Sequence, residues 1–558
     1  MSRIGGTPPF RLLRFLWTNP EAAPLREGTP AWWGALSSPR DFLRKAAARG
    51  IDLSSPDPDW ARIARCVEEG TLVCLQNQGG AGPRLFLYRS INSTADLFFL
   101  AGADGSLVLT DHFRNALESL PGRSLPVSED WLADLLLFPD MPGHRTEFGP
   151  IRRVAHGQTL ELDLDSGRFR PVFQERLEPR GETDPSLAPE TVLGALDRAL
   201  ELFADRREKA VLFSGGVDST LLKWRLGESS EAVFVGCDSP EFRFERQYAE
   251  QSARELGIRP QKIEIRENDL PGLSLDALEE TGQLFPVTVF QPVFNSRAFR
   301  SSSRLFFSGD YADTLFGFSA VKQVYAPETE EEKRRACRPA EDLEGFAAKS
   351  YSTSDIRLVE RILGSRAVES AFERRLEYVL ARFCFRSREE EILNRQAELC
   401  AFMVFFSGDW FNRYRQQAFS LGKSLHAPFS QRTAVEESLK IPLPFRYIQN
   451  GHLKHILKGI LQENLPGCPA MEKKGGTGWP RTRLCTSGPF ACFFRKNPVP
   501  LFIPAGEKHR LEEPDWDSST VTLTCLFLSL WEQRFLRKES GLVPRTRETR
   551  LEAGTRPL

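Results

Sequence analysis

A loop over residues 211–220, Val-Leu-Phe-Ser-Gly-Gly-Val-Asp-Ser-Thr, carries residue types that can grip a pyrophosphate. The adjacent Gly215 and Gly216 allow a backbone turn with positive φ and inward-pointing amides, and the helix expected to begin near Ser219 adds partial positive charge. Such a turn forms a cradle for phosphate oxygens. No lysine follows the glycines, so this is not the Gly-Lys-Ser/Thr loop of phosphoryl-transfer NTPases. An ordinary Gly-Gly turn is the alternative.

The carboxylate of Asp218, inside the same loop, fits a Mg²⁺ ligand. Mg²⁺ is usually held by one or two carboxylates, with phosphate oxygens and water completing its shell. The loop therefore predicts a site for a magnesium-bound pyrophosphate. We call residues 214–219 the glycine loop.

The elements that must position this loop are strands alternating with helices. The predicted strands include the apolar runs at 210–213, 232–236 and 305–307, and the segment at 262–265 continues the series. Continuous apolar runs of this length are typical of parallel strands covered on both faces. We therefore predict an α/β fold with a doubly wound parallel sheet over residues 189–540, mainly helical at 355–465.

The chain before residue 189 has a different pattern. Short apolar runs separated by Gly, Asn and Asp turns predict a small antiparallel β domain, bounded at 61–175. Residues 1–60 are rich in Pro, Arg and Trp with little periodicity, which predicts an irregular or loosely helical leader. Residues 541–558 are predicted to be a flexible tail.

Composition excludes several partners. The 74 basic and 75 acidic residues give a formal charge of -1, which offers no electrostatic basis for broad binding of nucleic acid or a membrane surface. The ten cysteines form neither a Cys-x-x-Cys pair nor a zinc pattern, which fits reduced thiols in a cytoplasm. No run of about 18 apolar residues occurs, so no spanning helix is predicted. We expect a cytoplasmic protein.

The glycine loop resembles that of the PP-loop ATP pyrophosphatases, and Ser308–Gly317 is similar to the Ser-Gly-x-Gly-Ala-Asp-Glu-Leu-Phe-Gly segment of the asparagine synthetase group. The resemblance implies ATP and Mg²⁺ as cofactors, with Asp313 facing Asp218 as a second metal ligand. Two aspartates after a strand, taken alone, are usually a helix cap. The implied ATP-binding residues are Leu212, Phe213, Ser214, Gly215, Gly216, Val217, Asp218, Ser219, Val235, Gly236, Ser308 and Gly309.

Later segments continue the resemblance. Lys454 and Leu457 match part of the family's Lys-x-x-Leu-Arg helix, and residues 471–475 resemble the loop that brings a lysine to the reacting carbonyl. Lys474 is the implied catalytic lysine, with Lys473 next, although a Lys-Lys-Gly sequence is ordinarily a solvated loop. Asp310 and His426 are further candidates for assisting deprotonation, although a histidine in an apolar setting is more often structural.

Two departures from the family bear on the substrate. Asparagine-forming members have Cys after the initiator Met, where this chain has Ser2, yet residues 71–165 resemble the rear of that glutamine-hydrolysing domain. The resemblance thus implies a degenerate Ntn-type amidotransferase-like domain. Ser424, His426 and Gln431 stand where Glu, Arg and Asp are usual, which argues against free aspartate as the substrate.

The missing ammonia source directs attention to family members whose substrate brings its own amine, the β-lactam synthetases and the lasso-peptide macrolactam synthetases. The resemblance implies a carbon-nitrogen ligase that adenylates a carboxylate, forms AMP and pyrophosphate, and closes the acyl group with an amine. A precursor peptide with its leader protease would then be the partners. The alternatives are an ammonia-dependent asparagine-synthetase-like enzyme and a non-catalytic nucleotide-binding relative.

Overall fold

The structure, a computed structural model, describes most of the chain. The described residues are 2–3, 12–26, 30–78, 82–102, 104–120, 129–137, 150–283, 290–325, 356–384, 392–406, 409–443, 445–469, 483–484, 487–491, 516–531, 534–535 and 547–552.

The N-terminal region is built mainly of strands. Its elements in chain order are β1 (Ser2–Arg3), β2 (Leu12–Trp17), β3 (Ala23–Arg26), β4 (Ala31–Leu36), α1 (Pro39–Ala48), α2 (Trp60–Ala64), β5 (Gly70–Gln78), β6 (Gly82–Arg89), β7 (Phe98–Ala101), β8 (Leu107–Thr110), α3 (Phe113–Glu118), α4 (Glu129–Leu137), β9 (Arg152–Arg153), β10 (Gln158–Asp163) and β11 (Arg168–Gln174).

The rest of the chain alternates helices and strands before becoming mainly helical. Its elements are α5 (Ala188–Glu201), β12 (Lys209–Leu212), α6 (Val217–Leu226), β13 (Ser230–Cys237), α7 (Arg243–Glu255), β14 (Gln261–Ile265), α8 (Leu270–Thr281), α9 (Phe290–Phe299), β15 (Leu305–Phe307), α10 (Ala312–Phe316), α11 (Ser319–Tyr325), α12 (Ile356–Leu363), α13 (Ser365–Leu380), α14 (Ile392–Phe406), α15 (Asp409–Ser420), β16 (Ser424–His426), α16 (Arg432–Lys440), β17 (Ile448–Gln449), β18 (His452–Leu453), α17 (His455–Asn464), α18 (Trp516–Trp531) and β19 (Arg547–Glu552).

The N-terminal strands form a sandwich of two sheets. One sheet has the order β1-β11-β10-β6-β5-β4-β3 and is antiparallel throughout, and the other has the order β19-β2-β8-β7-β9 with β2 and β8 parallel. Apolar side chains from both sheets, including Phe15, Leu85 and Leu109, fill the space between them. The predicted β-rich N-terminal region is confirmed, as two sheets.

The prediction of an irregular leader over residues 1–60 is wrong for the part of that segment that the structure describes. Strand β2 pairs with β8, and β4 pairs with β5, so these residues belong to the sandwich. Strands β2 and β4 have six residues each, and their partners lie far along the chain. An alternating pattern over so few residues is too short to recognise in the sequence. The predicted tail is wrong for the same reason at β19, which pairs with β2.

The predicted parallel sheet of the second region is confirmed, and it has the order β14-β13-β12-β15-β16. The strand order changes direction between β12 and β15. In open parallel sheets, ligands bind in the crevice outside the carboxyl ends of the strands at such a reversal. Both motifs singled out in the sequence follow these two strands directly.

The sandwich packs on the α/β region through buried polar contacts. Glu69 accepts hydrogen bonds from Thr94 and from Arg415 of α15, and both Glu69 and Arg415 are 1% exposed. Asn92 Nδ2 donates to the carbonyl of Ser430 at 2.7 Å. No helix among the described residues is long and apolar enough to cross a membrane.

Candidate active site

The glycine loop connects the end of β12 to the start of α6. Gly215 has φ 70°, and a Cβ there would lie 2.4 Å from Cα of Ala249. The backbone of α7 therefore leaves room only for glycine. Ser252, one turn further along α7, donates its hydroxyl proton to the carbonyl of Gly215 at 2.8 Å. Gly216 has φ -72°, so the expectation of positive φ holds for Gly215 alone.

Two serines hold the turn from within. The hydroxyl of Ser219 accepts a hydrogen bond from the amide of Ser214 at 3.2 Å and donates to the carbonyl of Gly216 at 3.3 Å. The hydroxyl of Ser214 accepts from the amide of Gly216 at 3.4 Å. The loop is thus closed on itself at the N-terminus of a ten-residue helix, where unpaired backbone amides favour an anion.

A lysine joins the two aspartates expected at the metal site. Lys454 Nζ lies 2.6 Å from Oδ2 of Asp218 and 2.5 Å from Oδ1 of Asp313. Lys454 stands at the start of α17 with φ 55°, a left-handed conformation. Burial alone would lower the pKa of Lys454, but the two carboxylates outweigh it and raise that pKa well above its usual value. The ammonium therefore stays charged.

The loop after β15 lies directly against the glycine loop. A Cβ on Gly309 would come within 2.6 Å of Cβ of Asp218, so glycine permits the close approach. The amide of Ser308 donates to the carbonyl of His426 at 2.9 Å, and the Ser308 hydroxyl donates to the Asp310 carboxylate. These contacts bring Ser308, Gly309, Asp310 and Asp218 together.

Asp310 has an altered acidity in this setting. Burial, together with the nearby charges of Asp313 and Asp218, raises the pKa of the Asp310 carboxyl to about 7, although its bond from Ser308 and the charge of Lys454 act in the opposite direction. A carboxyl group with this pKa exchanges a proton near neutral pH. The arrangement thus includes a group suited to proton transfer.

A residue with unusual backbone geometry separates the two aspartates of this loop. Tyr311 has φ 71°, and its buried ring packs edge-on against Phe405 and Phe411, with ring centroids 5.3 and 5.7 Å away. Left-handed backbone is disfavoured for tyrosine, so the ring packing must offset that cost. The turn at Tyr311 starts α10, on which Asp313 is 58% exposed.

A cavity of about 230 Å³ opens beside the glycine loop. We call it the α9 cavity. It is lined by Leu212, Phe213, Ser214, Val233, Phe234, Val235, Phe242, Glu245, Gln291, Phe294, Asn295 and Ala298. The structure therefore brings four of the implied ATP-binding residues, Leu212, Phe213, Ser214 and Val235, together in the lining of a cavity that continues into the glycine loop. Gly236 follows Val235 on β13.

The side chain of His426 contacts the sandwich instead of the aspartates, although its backbone carbonyl accepts from Ser308. Its Nε2 lies 3.1 Å from Glu21, its Nδ1 lies 3.9 Å from Glu69, and its ring packs on Phe203 at 4.5 Å. Burial would lower the pKa of His426, but the carboxylates of Glu21 and Glu69 outweigh it and raise that pKa. The side chain is a buried ionic contact between the sandwich and the α/β region, which favours the structural alternative over a catalytic one. Lys473 and Lys474 lie outside the described residues.

Sequence reasoning missed the central position of Lys454. Its match to the family's Lys-x-x-Leu-Arg helix was the available signal, but only the fold shows that its ammonium reaches Asp218, 236 positions earlier in the chain. Gln291 and Asn295 were missed as well. Nothing local marks them, because packing decides which face of α9 meets the cavity.

Comparison with known proteins identifies one family. The asparagine synthase family model matches residues 191–491, a range that contains the glycine loop, Asp313 and Lys454. A search of curated proteins finds no match to the chain.

Proposed function

Since the chain belongs to the asparagine synthase family, whose members are ATP-dependent amide-forming ligases, we propose that it adenylates a substrate carboxylate and joins the acyl group to an amine. A carboxylate oxygen attacks the α-phosphorus of ATP, the bond to the bridging oxygen breaks, and pyrophosphate leaves. The amine nitrogen then attacks the acyl carbon, AMP leaves with the acyl oxygen, and the amine proton passes to a base.

The contact of Lys454 with both aspartates carries this proposal. Pyrophosphate is a strongly anionic leaving group, and groups already fixed where charge develops stabilise it without reorganisation. The glycine loop supplies backbone amides, and Lys454 supplies a charged ammonium at the carboxyl ends of β12 and β15. These are the groups that would hold the two outer phosphates of ATP.

The aspartate pair fits a magnesium site. Asp218 and Asp313 present carboxylate oxygens to one common cation, and Asp313 is largely exposed toward solvent. Among the described residues no group of three or more His, Cys, Asp or Glu could hold a metal. Two carboxylates suit a Mg²⁺ ion that takes its other ligands from phosphates and water. Bound there, Mg²⁺ would neutralise phosphate charge beside the ammonium of Lys454.

Asp310 is the proposed acceptor of the amine proton, because its carboxyl lies in the same loop and has a pKa of about 7. Lys474, with Lys473 next, is proposed on the sequence resemblance alone to stabilise charge at the reacting carbonyl. Residues 61–175 are proposed to be a degenerate amidotransferase-like scaffold, because residues 71–165 resemble the rear of a glutamine-hydrolysing domain.

The segment 424–431 supports a substrate that carries its own amine. His426 faces Glu21, and Gln431 accepts a hydrogen bond from Ser37 at 3.1 Å, so both side chains face the sandwich. Neither is placed to recognise a free aspartate in the crevice. We therefore favour intramolecular amide formation, as in lasso-peptide macrolactam or β-lactam synthesis. A precursor peptide delivered by a leader protease would be one such substrate.

Exchange of labelled pyrophosphate into ATP, dependent on a candidate carboxylate, tests the adenylation step. Exchange with the wild-type chain and its loss in Asp218→Ala are expected. Full exchange in that variant would contradict the role of Asp218. Product formed from a substrate bearing its own amine, with ammonia omitted, would favour the intramolecular reaction. Product formed only after adding ammonia would favour the asparagine-synthetase-like alternative.

A further inference from the structure

Helix α9 presents one face to the α9 cavity. The lining residues Gln291, Phe294, Asn295 and Ala298 recur at the spacing of successive helical turns, so they form a single stripe. The opposite wall consists of the ends of β12 and β13. A nucleotide whose phosphates lie at the glycine loop would therefore place its base between this stripe and the strands.

Two amides on this stripe are already joined. Gln291 Nε2 donates a hydrogen bond to Oδ1 of Asn295 at 2.9 Å. Asn295 is 2% exposed, and its Nδ2 has no partner among the residues that the structure describes. The bond leaves Oε1 of Gln291 as an acceptor and the Nδ2 amino group of Asn295 as a donor, beside the second N–H of Gln291 Nε2. Buried amides are normally satisfied on both sides, so Nδ2 calls for an acceptor from a ligand.

We propose that Gln291 and Asn295 select adenine as the base of the nucleotide. On its N1 edge, adenine offers the N6 amino group as a donor beside N1, which accepts, and side-chain amides can pair with such a donor and acceptor in two hydrogen bonds. The acceptor and donor left free on Gln291 and Asn295 complement it. The inference rests on the proposed function, because it takes the ligand at the glycine loop to be a nucleotide.

Other purine bases present the opposite arrangement of hydrogen-bond donor and acceptor. Hypoxanthine and guanine carry an oxygen in place of the N6 amino group and a proton on N1, whereas the N7 of guanine accepts as it does in adenine. If Asn295 becomes aspartate, one oxygen still accepts from Gln291 while the other replaces the Nδ2 donor with an acceptor. Asn295→Asp should therefore repel the ring nitrogen of adenine and accept the ring proton of hypoxanthine.

Titration calorimetry of the full chain with Mg²⁺-ATP and with Mg²⁺-ITP tests the proposal. The wild type should bind ATP at least about 10-fold more tightly than ITP, as expected for a two-bond contact. Gln291→Leu, a change at an exposed position, should reduce that ratio by about 10-fold. Asn295→Asp should reduce it further or invert it. Gln247→Leu, an exposed position on α7 outside the cavity lining, should leave the ratio unchanged.

The outcomes separate this inference from the function on which it rests. If the wild type prefers ATP and Gln291→Leu keeps the full preference, base selection by the two amides is overturned. This outcome can be read even if Asn295→Asp fails to fold. In that case the proposed ligase function stands. A wild type that binds neither nucleotide would overturn both.

Discussion

The ammonium of Lys454 lies 2.6 Å from the carboxylate of Asp218, although 236 positions separate them in the chain. The same ammonium also meets Asp313, so one cation balances two carboxylates. Lys454→Met should leave these charges facing an incoming polyanion and should lower pyrophosphate exchange by about 100-fold or more. Lys440→Met, which removes a lysine paired with Glu437 on α16, is the matched control and should retain exchange. Equal rates in the two variants would contradict the role of Lys454.

Gly309→Ala tests the close approach of the two loops. Its new Cβ would lie 2.6 Å from Cβ of Asp218, so the aspartate must move away from the site. We expect pyrophosphate exchange to fall by about 10-fold or more, since small displacements of catalytic groups are costly. Gly272→Ala has no atom within 4 Å of its new Cβ, and it lies inside α8. That control should keep full exchange and gain up to about 1 kcal/mol in free energy of unfolding.

Gly215→Ala, compared with a second glycine variant, distinguishes the cost of positive φ from the cost of a steric collision with α7. Gly215 and Gly257 both have positive φ, 70° and 65°, so alanine at either position costs about 1 kcal/mol in conformational strain. Only at Gly215 does the new Cβ collide with the backbone of Ala249. Calorimetry should find ATP binding lost in Gly215→Ala and kept in Gly257→Ala. Normal ATP affinity in both variants would mean that the glycine loop does not hold the phosphates.

The buried ionic contact of His426 should make stability depend on pH. Because Glu21 and Glu69 raise its pKa in the folded chain, His426 contributes stability fully below its unfolded pKa of about 6.5 and loses that contribution as pH rises through the folded pKa. Urea denaturation should show wild type and His426→Gln differing most in free energy of unfolding at pH 6 and converging above neutral pH. His452→Gln, at an exposed position, should show no such trend. A difference that grows with pH would contradict the assignment.

Local sequence patterns predicted the fold where a strand has a recognisable run of apolar residues. The strands β12, β13 and β15 contain continuous apolar runs, as buried parallel strands require, whereas β14 lies at the edge of the sheet and mixes polar with apolar residues. Strands β2 and β4 are no less buried, but their partners lie far along the chain and their patterns are brief. Pairing over long separations is a property of the whole chain, so a window of residues does not reveal it.

The same distinction holds for the site. The glycine loop and the segment from Ser308 to Asp313 are contiguous, so residue types and spacing suffice to recognise them. Lys454 became central only when α17 was packed against α6 and α10, the helices that carry Asp218 and Asp313. For His426, sequence position suggested the crevice, whereas the direction of its side chain on β16 takes it to Glu21 instead.

The pair formed by Glu69 and Arg415 limits how this enzyme can be recombined with its relatives. Each residue is 1% exposed, and each comes from a different region of the chain. A chimera that grafts a foreign sandwich onto this α/β region, without a carboxylate at position 69, would bury a lone guanidinium at a cost of about 3–5 kcal/mol. A functional chimera should therefore exchange the two regions as a matched set, with residue 69 and α15 carried together.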